Sequence, residues 1–224
     1  MKAAALTLLW LAVVLAAVAA ARLGQMDRPG QALAAIVVLS ILAAVALTLV
    51  PRVRRLAFAG LPDRRAAALL VVPALAALLP LVAGVRIPET PLWFLALGYI
   101  LTGFAEETWF RGLVLETLLP RGSLAAVSWS AVLFGLVHLA NLLTRDGTAL
   151  VFAQAIGAAC FGLGYGAIRL ATGRLWPLML LHAATDMALQ FGRLPLVPVA
   201  VAQDIVLLGF GLWLLRKPRD HAPV

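Results

Sequence analysis

Apolar runs of about twenty residues, broken by short stretches of Arg, Pro, Gly and Asp, repeat along the whole chain. A helix of that length rises about 30 Å, the hydrocarbon thickness of a bilayer. The pattern predicts eight crossing helices, over about 2–21, 31–50, 66–85, 91–119, 123–143, 148–170, 175–191 and 195–215. The first run ends in Ala19-Ala20-Ala21, which imitates a signal-peptide cleavage site. It is longer than the apolar core of a signal peptide, about 7–15 residues, so it is expected to stay as a helix. Pro73 and Pro80 should kink the third helix, with neighbouring helices satisfying the freed backbone groups. The fourth is longer than a bilayer requires and should tilt or project.

Composition supports the same class. The chain has 224 residues, 63% hydrophobic and 12% charged, with a mean hydropathy of +1.02, outside the range of a soluble domain. The expected fold is all-α, a polytopic membrane bundle of about eight helices. Residues 1–90 carry no specific motif, 91–192 hold the candidate chemistry, and 193–224 form the last helix and a polar tail. The formal charge of +8 does not indicate nucleic acid, because the basic residues cluster between apolar spans. With both termini on one side, that side holds Lys2, Arg52, Arg54, Arg55, Arg64, Arg65, Arg121, Arg169, Arg174, Arg216, Lys217 and Arg219. The other side holds only Arg22, Arg28, Arg86, Arg145 and Arg193. The bias predicts cytoplasmic termini, and the Ala/Leu/Arg-rich composition suggests the cytoplasmic membrane of a prokaryote. The single cysteine, Cys160, has no intrachain partner for a disulfide.

Arg111 is the one basic residue left within a span, in Phe104-Ala-Glu-Glu-Thr-Trp-Phe-Arg111. Ionisable groups at membrane depth cost about 2.5–3.5 kcal/mol each, so they usually face a protein interior or a water-filled cavity. Glu107 and Arg111 are four apart and share a helix face, which allows a structural ion pair. Glu106 points about 100° away, with no basic residue at three or four positions, and needs a partner from another helix. Of three histidines, His221 belongs to the polar tail, while His138 and His182 fall within spans. Each has a polar companion on its own face, Asn141 three residues after His138 and Asp186 four after His182. Gly103, Gly135, Gly157, Gly162 and Gly166 would permit close helix approach.

The ordered set Glu106-Glu107-x-x-x-Arg111, Phe134-x-x-x-His138 and His182-x-x-x-Asp186, with Thr172-Gly-Arg-Leu-Trp-Pro177 leading into the last, resembles the CPBP family of intramembrane proteases. That family includes the type II CAAX prenyl endopeptidases and the bacteriocin-processing Abi proteins, and the likeness covers about 93–191. The resemblance implies hydrolysis of a peptide bond in a membrane-associated protein or peptide. Glu106 would be general base toward a water that His138 holds. His182 and Asp186 would stabilise the oxyanion. Glu107 and Arg111, with Asn141, would support them.

Family members often carry Asn where this chain has Asp186, and an ionised carboxylate cannot donate to an oxyanion. Three roles stay open for Asp186: a protonated donor, an orienter of His182, or a metal ligand. Glu106, His138 and His182 have the residue types of a catalytic zinc site, although no His-Glu-x-x-His motif is present. Two other functions use the same parts, a proton relay or transporter and a non-catalytic immunity or partner protein. No inverted repeat supports the transporter. Gly162-x-Gly164-x-Gly166 reads as helix packing, and Trp10, Trp93, Trp176 and Trp213 read as interfacial anchors. Glu116 is expected to snorkel or be solvated, and Gln154, Gln190 and Asp204 have no partner in the sequence pattern.

Overall fold

The computed structural model describes residues 2–216, so the expectations for His221, Lys217 and Arg219 lie outside the described residues. The chain is all-α: α1 (Lys2–Leu23), α2 (Arg28–Leu49), α3 (Pro51–Ala57), α4 (Arg64–Leu78), α5 (Leu92–Glu106), α6 (Leu115–Leu118), α7 (Ser123–Val137), α8 (Thr148–Thr172), α9 (Trp176–Phe191) and α10 (Leu196–Arg216). Among the described residues, six helical stretches are long and apolar enough to cross a membrane. Of the expected crossings, the fourth and seventh are not among those six. The fourth is interrupted by charge and by a change of helix type, and α9 has 16 residues. These two carry Glu106 and His182.

Aspartates start two helices as the sequence allows, with Asp27 accepting from the Gly30 amide and Asp63 from the Ala66 amide, both at 2.8 Å. Pro73 is accommodated inside α4, and the chain tightens to a 3-10 turn over Leu79–Leu81 around Pro80. The short α3 was not expected, because its Arg-rich sequence reads as a loop.

Packing forms a ring in the order α1, α2, α5, α9, α4, α10, α8, α7 and back to α1. Through its centre runs a π-helical segment, Glu107–Val114, continuous with α5 and α6, and all eight of its residues are buried. It touches α1, α2, α3, α7, α8 and α9. Its C-terminal amide, at Leu115, donates to the Phe110 carbonyl five residues back. Ser130 Oγ donates to the same carbonyl at 3.0 Å. α1 supports it from the other side: Trp109 Nε1 donates to the Leu6 carbonyl at 3.2 Å, and the Trp10 ring lies 5.7 Å from Trp109 and 5.4 Å from Phe110. Trp10 is thus buried in the core and is not an interfacial anchor. Trp93 and Trp213 are exposed.

The two ends of the bundle differ. At the basic end, Glu116 joins Arg52 at 2.7 Å and Arg169 in one cluster. Glu116 is therefore paired and not solvated, and Arg169 is a buried pairing group as well as a contributor to charge bias. The Thr172–Pro177 stretch ties the 58–63 loop to α9. Arg174 donates to the carbonyls of Gly60 and Leu61, both at 2.9 Å, and Trp176 Nε1 donates to the Ala59 carbonyl at 2.9 Å. At the opposite end, Arg86 donates through Nε to the Gln190 carbonyl and Arg193 to the Val85 carbonyl.

Candidate active site

Glu106 closes α5 and Glu107 opens the π segment, so two successive carboxylates face different neighbours. Glu107 is fully buried, and its Oε1 lies 3.0 Å from Arg111 Nη1 and 2.8 Å from His182 Nδ1. The wider turn of a π-helix keeps residues four apart on one face, so the Glu107–Arg111 pair forms as the spacing predicts. The Arg111 guanidinium stacks over Phe134 at 4.0 Å from the ring centroid, with Phe161 at 5.7 Å and Tyr165 at 5.9 Å. This is a desolvated cation–π enclosure. Gly162 leaves room for it, since a Cβ there would stand 3.3 Å from Arg111 Nη2.

His182 is held through Nδ1 by Glu107, which requires the proton on that nitrogen. Its Nε2 faces Glu106 Oε2 at 3.7 Å and Asp186 Oδ2 at 3.8 Å. Both separations exceed a hydrogen bond, so all three atoms can still engage a third molecule. The Glu106 Oε2 atom is buried and has no hydrogen-bond donor among the described residues. The Asp186 side chain is 29% exposed, at the open side of the group. Glu107, and not Asp186, is the residue that orients His182.

His138 ends α7 and begins a 3-10 segment, His138–Leu143. Its Nδ1 is 2.8 Å from the Phe134 carbonyl, an acceptor only, so Nδ1 carries the proton and Nε2 is an acceptor. The Phe134 ring packs edge-on against His138 at 4.6 Å and lies 6.4 Å from His182, so one ring neighbours both imidazoles. Asn141 Nδ2 donates to Gln154 Oε1 at 2.9 Å, which supplies the partner that the sequence left unassigned for Gln154. Asp204 packs against Gly157, away from this group.

The expected zinc set of Glu106, His138 and His182 is not assembled. Among the described residues, no three His, Cys, Asp or Glu side chains form a group that could hold a metal ion. One nitrogen of each histidine is engaged, His182 Nδ1 by Glu107 and His138 Nδ1 by a backbone carbonyl, which leaves Nε2 of each ring as the nitrogen that can act.

Sequence reasoning overlooked the π segment, the Ser130 and Trp109 supports and the role of Glu107 toward His182. A Ser inside an apolar span was the one available signal for the second of these four positions. Residues 88–188 match the family described as type II CAAX prenyl endopeptidase Rce1-like. No curated protein and no solved structure matches the chain.

Proposed function

We propose, from a segment 88–188 that belongs to the type II CAAX prenyl endopeptidase family, that this membrane protein hydrolyses a peptide bond in a membrane-associated protein or peptide with water activated by Glu106. The observation that carries the reading is the arrangement around His182, with one nitrogen fixed by Glu107 and the other turned toward Glu106 and Asp186.

A water between Glu106 Oε2 and His138 Nε2 gives its proton to the Glu106 carboxylate, and its oxygen attacks the substrate carbonyl carbon. The carbonyl oxygen gains the negative charge and accepts a hydrogen bond from His182 Nε2. That nitrogen donates when the ring is an imidazolium, whose charge the Glu107 carboxylate balances. The carbon–nitrogen bond then breaks as Glu106 returns the proton to the departing amine. Asp186, at the exposed edge, contributes as a neutral acid donating to the same oxyanion. Basic-end loops rich in Arg favour the cytoplasmic face, and the Ala/Leu/Arg-rich composition favours a prokaryotic membrane.

The test is cleavage of a quenched-fluorescence peptide panel by purified protein in detergent, comparing wild type with Glu106→Ala and His138→Ala, with and without chelator and added zinc. Cleavage by wild type that both variants lose, and that chelator leaves intact, is expected. Full activity in either variant, or chelator loss reversed by zinc, would overturn the assignment of base or of mechanism respectively.

A further inference from the structure

The 3-10 segment headed by His138 is long for its type and mostly half-buried. Runs of this helix beyond three or four residues are uncommon, whereas this one spans six residues, none of them buried. An open groove beside it and α1 is lined by Leu15, Val18, Ala19, Leu23 and Leu143 and holds Arg22.

Side chains from the last turn of α1 and the first turn of α2 span this groove. Arg22 donates through Nη2 to the carbonyl of Leu143, the last residue of the segment, and through Nε to Gln31 Oε1 at 3.2 Å. Gln31 is buried and is itself fixed by donating to the Met26 carbonyl at 2.9 Å. Three residues beyond the segment, Asp146 pairs with Arg28 at 2.5 Å, and the guanidinium holds the Asp146 carboxyl below the usual carboxylate range. On its other side the segment is tied to α8 by Asn141 and Gln154.

We propose that Arg22 is a positioning residue for His138, mooring the 138–143 segment so that Nε2 of His138 is held toward the Glu106 water. The proposal rests on the hydrolytic reading above. It assigns a role in the reaction to a part of the chain, 22–31, that lies outside the family match at 88–188.

Two readouts on the full chain test it: steady-state cleavage and hydrogen exchange of the 138–147 amides. Arg22→Ala should lower kcat about tenfold or more while KM stays nearly constant, because loss of alignment acts on the chemical step. The same variant should exchange faster over 138–147, and Arg22→Lys should recover part of both. Should Arg22→Ala not fold, the Arg28→Asp and Asp146→Arg variants take its place. Each alone should speed exchange and lower kcat, and the two together should restore both. Unchanged exchange, or faster exchange with unchanged kcat, overturns the positioning role while hydrolysis stands. A wild type that cleaves no peptide overturns the hydrolytic reading and this role with it.

Discussion

His182 Nδ1 lies 2.8 Å from Glu107 Oε1, and the same oxygen is 3.0 Å from Arg111 Nη1, so one buried carboxylate holds an imidazole and a guanidinium together. Glu107 is thereby engaged with both groups, while Glu106 Oε2 has no hydrogen-bond partner among the described residues, as the proposed base requires. Glu107→Gln keeps the shape but removes the ionised acceptor that fixes the Nδ1 proton and balances an imidazolium. We expect kcat to fall by about tenfold to a hundredfold with KM little changed, measured on the cleaved peptide. Wild-type kcat in this variant would remove Glu107 from the reaction.

Arg111 has a different role. Its guanidinium is 1% exposed and stacked on Phe134, and its loss leaves Glu107 buried with His182 as its remaining partner. Breaking a buried pair from one side typically costs about 3–5 kcal/mol. Arg111→Ala should therefore show a clear drop in thermal midpoint in detergent. Arg111→Lys should also lose stability, because an ammonium keeps the charge but not the planar stack. A midpoint equal to wild type in both variants would contradict the pairing.

The long helices are legible in the sequence because a lipid-facing helix is apolar nearly all round, and exposed side chains such as Leu8, Ile41, Ile156 and Ile205 follow that rule. The Glu107–Arg111 contact is legible for a less secure reason: positions four apart share a face in both an α- and a π-helix. The same coincidence hides the π segment. Arg169 and Arg52 reach Glu116 across 53 and 64 residues, respectively, and local spacing cannot register such pairing. Trp10 fails the anchoring rule because α1 packs against the π segment and draws its ring into the core. His182 and Asp186 share a face as read, yet the orienting bond comes from Glu107, on a helix 75 residues earlier.

Asp186 offers a separable test. Its Oδ2 is 3.8 Å from His182 Nε2, too far for a hydrogen bond, and its side chain is partly exposed. An amide at this position donates without needing a proton. Asp186→Asn should keep or raise kcat, because the donor at this position no longer depends on protonation. Loss of activity with normal folding would instead assign the carboxylate a charge role.

Glu106 on α5 faces His182 on α9, and Gly103 is a point of tight contact between the two helices. A Cβ at Gly103 would run into the Met179 carbonyl and stand 3.1 Å from the Ala183 amide, both backbone groups that cannot rotate away. Gly98, on the same helix, has nothing within 4 Å of such a Cβ. Both substitutions to Ala raise helix propensity by about 1 kcal/mol, so they differ only in what the methyl meets. Gly98→Ala should leave cleavage unchanged and stability equal or slightly higher. Gly103→Ala should cost about 1–3 kcal/mol by overpacking and force the helices apart beside His182, lowering kcat more than its stability loss explains. Peptide cleavage and thermal melting measured on the two variants side by side check this. Equal behaviour would mean that the α5–α9 contact does not hold the base to the imidazole.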